Sequence, residues 1–232
     1  AIRSNIRQIR NSIDKDTKLM VIVKADAYGH GAVAISQALD NGMVDAYGVA
    51  IIEEAIELRK AGIKKPILIL GYTPMEQFDL VVSYDVMQTV YQYEMAKKLS
   101  EEAVKQNKTA RIHIKIDTGM SRLGFSDSYE TIKIIKQIAS LEGICIDGIF
   151  SHFAKADEAD REISVKQINR FNEYIGLLEQ EGIHIPIRHF SNSAGMIEFP
   201  EAQYNMVRCG IVAYGVYPSD EVNHNSLGLI PA

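Results

Sequence analysis

The feature that most restricts what this chain can fold into is a repeated alternation. Eight short apolar runs of strand length occur at 18–23 (KLMVIV), 46–50 (AYGVA), 66–70 (PILIL), 85–90 (DVMQTV), 111–116 (RIHIKI), 144–150 (ICIDGIF), 187–190 (IRHF) and 206–209 (MVRC). Between them apolar residues fall at helical spacing. Ile168, Phe171, Ile175 and Leu178 make one stripe with Gly182 as a stop, and Ile132, Ile135 and Ile138 make another. Residues 52–61 and 91–107 read as helices too, and Ile2, Ile6, Ile9 and Ile13 open the chain on an amphipathic helix. Strand alternating with helix implies parallel strands joined by right-handed crossovers, and eight such units close a barrel. The fold class expected is α/β, a (β/α)8 TIM-type barrel of parallel strands with surrounding helices. A doubly wound open sheet is the alternative. It calls for a glycine-rich phosphate fingerprint directly after the first strand, where this chain has Lys24.

The 232 residues suit a single barrel domain, 1–232, and 47% apolar with 24% charged residues supplies a sizeable core. A net charge of -5 with scattered basic residues argues against nucleic acid as a partner. Cys145 and Cys209 form neither a disulfide framework nor a zinc motif, which fits a reducing cytoplasm. No apolar run approaches the roughly 18 to 20 residues of a membrane span, and the amino terminus has no signal-peptide pattern. The chain opens at Ala1 inside a helical pattern, as a piece of a longer protein would, and 219–232 reads as loop or linker.

In such a barrel the reacting groups sit at the carboxyl ends of the strands. Lys24 follows LMVIV, so it should emerge at the mouth with its stem packed and its amine partly desolvated, which favours the neutral nucleophile. A lone lysine in that place is more often a strand end reaching for water. This one is followed by Tyr28 and by Gly29 and Gly31, which suit a turn where backbone approaches a ligand. His30, His113, His184, His189 and His224 are not spaced as metal ligands on one helix face, and no metal is expected.

The segment VIVKADAYGHG resembles the cofactor-lysine motif of alanine racemases, and IKIDTGMSRLGF at 114–125 resembles their second hallmark. The resemblance runs over nearly the whole chain. It implies that Lys24 holds pyridoxal 5'-phosphate through a Schiff base and, once displaced, acts as base toward the Cα proton on one face. It implies that Tyr28 binds the cofactor phosphate and that Arg122 meets the substrate carboxylate, a task for a planar fork of donors. His152 is placed beside the ring system, hydrogen-bonded to Arg208. Asn192 and Ser193 match the phosphate-binding stretch, although SNS alone would be an ordinary turn or helix cap. Arg208 matches the arginine that faces the pyridine nitrogen. A guanidinium does not hand over its proton, so that nitrogen should stay unprotonated, a weaker electron sink with fewer side reactions. Gly210 and Ile211 offer backbone N–H groups to the phosphate, and Lys115 matches a lysine that many family members carbamylate.

Racemisation needs two bases on opposite faces of a planar carbanion. The resemblance places the second, a tyrosine, on a carboxyl-terminal β-domain supplied by the partner subunit of a head-to-tail homodimer. No residue here matches it, so 219–232 is expected to lead toward that domain and 1–232 alone to racemise poorly. The implied substrate is alanine, with D-alanine supplied for peptidoglycan, or serine in racemases of the same family. Two rivals remain. One is a non-enzymatic pyridoxal-phosphate homeostasis protein, a barrel of this length whose lysine segment does not resemble KADAYGHG. The other is an unrelated barrel enzyme that uses a lysine Schiff base without cofactor.

Overall fold

The computed structural model describes residues 1–40 and 42–232. Its strands, all parallel, are β1 (Lys18–Ile22), β2 (Ala46–Val49), β3 (Ile67–Ile69), β4 (Met87–Val90), β5 (Ala110–Asp117), β6 (Phe125–Ser126), β7 (Ile144–Phe150), β8 (Ile187–His189) and β9 (Met206–Cys209). Eight of them run in the order β4-β3-β2-β1-β9-β8-β7-β5, and pairing of β4 with β5 closes the ring. The expected barrel is therefore the fold. All eight expected runs are its strands, with ends that agree to within two residues.

Strand β6 is an addition that the apolar pattern did not signal. Its two residues pair with the end of β5, Ile116 opposite Phe125. Gly124 makes this return possible: its φ is +143°, and a Cβ there would lie 2.5 Å from the Asp117 backbone nitrogen.

Alternation along each strand sorts side chains into two cores. Leu19, Val21 and Val23 face the helices, together with Ile112, Ile114 and Ile116 of β5. Met20 and Ile22 point inward, where Ala46, Leu68, Met87 and Met206 join them. The helices cover the outer face as their stripes require. In Ile2–Ser12 the residues Ile6 and Ile9 are fully buried, and Glu162–Gln180 buries Ile168, Phe171, Ile175 and Leu178 before Gly182 stops it at φ +76°.

Residues 219–232 hold neither helix nor strand, yet they pack back on the barrel. Val222 and Leu227 are buried, and the Asn5 side chain grips Ile230 on both sides, accepting from its N–H and donating to its carbonyl at 2.8 Å each.

Candidate active site

The carboxyl ends of the strands surround a cavity of about 420 Å³. Lys24, Tyr28, Lys115, Arg122, His152, Asn192, Ser193, Arg208, Gly210 and Ile211 all line it. These residues come from five separate strand ends, so the fold brings together what the chain scatters over almost two hundred positions.

Lys24 stands two residues past the end of β1 and is exposed, where its place after an apolar run predicts partial desolvation. The reason is the backbone beyond it. Ala25, Asp26, Ala27 and Tyr28 have φ of 49 to 54° and ψ of 36 to 51°, one turn of left-handed helix that carries the chain away from the lysine and leaves it on the rim. Such a turn costs roughly 1–2 kcal/mol per L-residue. It persists because Ala27 is fully buried, the Asp26 carboxylate accepts the Ala32 N–H at 2.6 Å, and Glu54 accepts the Ala25 N–H at 2.6 Å. The turn ends at Gly29 and Gly31, both at positive φ.

The turn swings Tyr28 across the cavity toward β9. Burial raises its phenol, so the hydroxyl stays a neutral donor. Gly210 lies within reach of two hydroxyls: a Cβ there would sit 3.3 Å from both Tyr28 Oη and Ser193 Oγ, and its N–H donates to Ser193 Oγ at 3.0 Å. Asn192 caps the short helix Ser193–Glu198 through a bond from the Gly195 N–H to its Oδ1, which commits that oxygen to the fold.

Arg208 is buried, and among the described residues no carboxylate pairs with it. One of its terminal nitrogens donates to His189 Nδ1 at 2.9 Å. The other faces the Ser151 and Phe190 carbonyls at 2.9 Å and His152 Nδ1 at 3.0 Å. Burial, then the neighbouring Arg122, push the guanidinium down to about 9, which leaves it a cation at neutral pH. Because guanidinium only donates, both histidines must present bare Nδ1 atoms and carry their protons on Nε2. His189 Nε2 then donates to His113 Nδ1 at 2.8 Å, so the His113 proton also rests on Nε2. Burial holds His113 down to about 4, and burial plus the Arg208 charge keep His189 and His152 well below the ordinary imidazole value. The relay is neutral at neutral pH. Gly148 leaves room for it, since a Cβ there would come within 2.4 Å of His113 Nδ1.

Lys115 is nearly buried, donates to the Ile116 carbonyl at 2.9 Å, and lies 5.4 Å from the centre of the Phe150 ring. Burial and the Arg208 charge push its amine down to about 7, so a large share is neutral at physiological pH. Arg122 sits in an exposed turn that Asp117 organises by accepting the N–H groups of Gly119, Ser121 and Arg122 at 2.9, 3.1 and 3.0 Å. Partial burial pushes the Asp117 carboxyl up, and these three bonds outweigh it.

Sequence reasoning missed four positions that build this site: His189, His113, Glu54 and Asp117. The first two were weighed only as metal ligands; the alternation of Arg111, His113 and Lys115 in RIHIKI was the available sign of a shared face. Among the described residues no group of three or more His, Cys, Asp or Glu could hold a metal ion.

The family described as "Alanine racemase, N-terminal domain" matches residues 1–218. The chain belongs to the alanine racemase family. An alanine racemase of Clostridium tetani is 48% identical over 227 residues, 98% of this chain and 58% of that protein, and one of Methanococcus maripaludis is 46% identical over 233 residues, covering 62% of it. The structure of the Clostridium difficile 630 alanine racemase in complex with cycloserine superposes with a TM-score of 0.98 at 43% identity, over 100% of this chain and 64% of that one. The Bacillus anthracis alanine racemase with bound L-Ala-P gives 0.92 at 32% identity over 100% and 60%. The chain thus spans about three-fifths of the length of these relatives.

Proposed function

We propose that this chain is the pyridoxal-phosphate-binding barrel of an enzyme that interconverts L- and D-alanine. The observation that carries the reading is the convergence of the ten residues on one cavity. That cavity suits the cofactor on its own evidence. Lys24, Lys115, Arg122 and Arg208 line it against the single carboxylate of Asp157, which calls for an anionic ligand. The neutral hydroxyls of Tyr28 and Ser193 meet the Gly210 backbone within the width of a methyl group, a cradle for phosphate oxygens.

When bound, pyridoxal phosphate supplies the electron sink that lets an amino acid lose its Cα proton. Lys24 would anchor it covalently and, once freed, its amine would take that proton on one face. Tyr28, Ser193 and the Gly210 and Ile211 N–H groups hold the phosphate, with Asn192 fixing the backbone beside them. The Arg122 fork pairs with the substrate carboxylate. Arg208 would meet the pyridine nitrogen and would keep its own proton, since His189 and His152 meet it only with acceptors. Lys115, with its depressed amine, would attack carbon dioxide, release a proton and, as a carbamate, orient Arg122.

The base for the opposite face is a tyrosine of a further β-domain, contributed across a head-to-tail dimer, and 219–232 leads toward that domain. Alanine as substrate rests on the relatives' names, which also favour a racemase over the homeostasis protein, while D-alanine supply for peptidoglycan is carried by the sequence resemblance alone. Two unpaired cysteines fit the cytoplasm, and among the described residues no helix is long and apolar enough to cross a membrane. The test is chiral analysis of alanine incubated with the intact protein and pyridoxal phosphate, beside residues 1–232 alone. We expect racemisation by the former and a loss of at least about 10²-fold in the latter, the scale of one missing acid or base. Rates within tenfold would place the second base inside 1–232.

A further inference from the structure

Glu54 was not among the residues that the sequence singled out, and it does not line the cavity. It lies in the first turn of the helix Ile52–Lys60, and a glutamate there has an ordinary task, accepting the N–H of the residue before the helix. That bond is its weakest, 3.4 Å to the Ile51 N–H. Its two short bonds go elsewhere. Oε2 accepts the Ala50 N–H at 2.6 Å, at the end of β2, and Oε1 accepts the Ala25 N–H at 2.6 Å, across 29 positions of sequence. Ala25 is the first residue of the left-handed turn and the neighbour of Lys24.

We propose that Glu54 is a positioning residue for Lys24, clamping the strained turn to the β2 loop so that the lysine and Tyr28 keep their places on the cavity wall. The inference rests on the function proposed above and deepens it. Three N–H donors from two loops converge on one side chain, and only an acceptor with two oxygens and no hydrogen can serve them all. A glutamine retains one acceptor oxygen and turns an NH₂ donor toward the remaining N–H groups. Asp26, the other carboxylate on the turn, bonds within its own loop to Ala32, so it shapes the turn without fixing it to the barrel. Of these two carboxylates, Glu54 alone ties Ala25 to a neighbouring strand end.

A role in positioning is separable from a role in folding. In the intact protein, Glu54→Gln is compared with wild type for amide exchange, melting temperature, and affinity for pyridoxal phosphate by absorbance titration. We expect exchange at residues 25–28 to accelerate at least tenfold while the barrel strands stay protected, and cofactor affinity to fall roughly ten- to a hundredfold, the effect of losing a bond to a charged acceptor. Ala25→Gly supplies the rescue. Ala25 is exposed and at φ 49°, so glycine relieves strain there with little lost packing, and Glu54→Gln/Ala25→Gly should regain about fivefold in affinity. Unchanged exchange at 25–28, acceleration spread evenly over the barrel, or cofactor affinity within twofold of wild type would each overturn the clamp. If Glu54→Gln does not fold, Glu54→Asp, one methylene too short to span both loops, takes its place. Failure of the wild-type protein to bind the cofactor would sink the functional reading, while the exchange data would still decide whether Glu54 holds the turn.

Discussion

Replacing Gly210 by alanine tests the phosphate cradle with a single methyl group. The added Cβ would stand 3.3 Å from both Ser193 Oγ and Tyr28 Oη, in the space where those hydroxyls and the Gly210 N–H converge. The φ of Gly210 is -97°, so a side chain imposes no left-handed strain, and the crowded atoms are the ends of side chains that can swing aside. The fold should lose about 0.5–3 kcal/mol, the range of most single substitutions. Affinity for pyridoxal phosphate should suffer more. Displacing two hydrogen bonds to a charged phosphate, at about 1.5–3 kcal/mol each, removes about 3–6 kcal/mol, or roughly 10² to 10⁴ in dissociation constant. Absorbance titration with the cofactor gives the affinity, and calorimetry of the ligand-free protein gives the stability. An affinity within threefold of wild type would show that the phosphate lies elsewhere. A large fall in melting temperature would show that Gly210 is there for the fold.

Three further outcomes are expected. Borohydride reduction after adding pyridoxal phosphate should fix the label on Lys24, and Lys24→Ala should abolish it; mass spectrometry that finds the label mainly on another lysine removes Lys24 from the chemistry. Arg208→Glu places a group that can share a proton beside the ring nitrogen, so transamination should rise relative to racemisation, and an unchanged ratio, read from keto acid against D-alanine, would detach Arg208 from that nitrogen. The buried His113 predicts acid sensitivity. Its imidazole is held down to about 4 in the fold against an ordinary value near 6.5, so the stability it contributes is complete above about 6.5 and is lost as pH falls toward 4, on the order of 3 kcal/mol in all. His113→Gln keeps an acceptor for His189 without the titration, so melting temperature should decline less steeply between pH 7 and pH 4. Parallel declines would place the acid-sensitive groups elsewhere.

The barrel was legible because its evidence is spread over the chain. Eight apolar runs with helical stripes between them admit few other folds, and an error of two residues at any strand end does not alter the topology. The site was legible in its residue types and less so in its geometry. Lys24 showed as the residue after an apolar strand, but its exposure follows from four left-handed residues spelled ADAY, two of them alanines that favour an ordinary helix. What opposes that preference is the burial of Ala27, the Asp26–Ala32 bond and Glu54, and no local pattern reports a partner 29 positions away. Strand β6 was invisible for a related reason, since two residues have no periodicity and the pairing depends on Gly124 fitting against Asp117.

His113 and His189 raise a different question, why a buried cation is held by imidazoles when a carboxylate would attract it more strongly. The inner face of the barrel is divided. Met20, Ile22, Ala46, Leu68, Met87 and Met206 fill one part with apolar side chains, while β5, β8 and β9 contribute His113, Lys115, His189 and Arg208 to the other. In that polar part an unpaired group is costly where the dielectric is low, and the one buried atom of these four residues left without a partner is His113 Nε2, at the far end of the relay from Arg208. A carboxylate beside Arg208 would satisfy it and also cancel its charge, weakening the attraction of the cavity for an anion and offering a proton site to any ring bound there. Neutral imidazoles supply acceptors without either effect. Their depressed proton affinity, a consequence of burial and of Arg208 itself, keeps them in that state at any pH near neutrality. The histidines therefore let the protein bury a full positive charge at the cavity without setting a carboxylic acid beside Arg208.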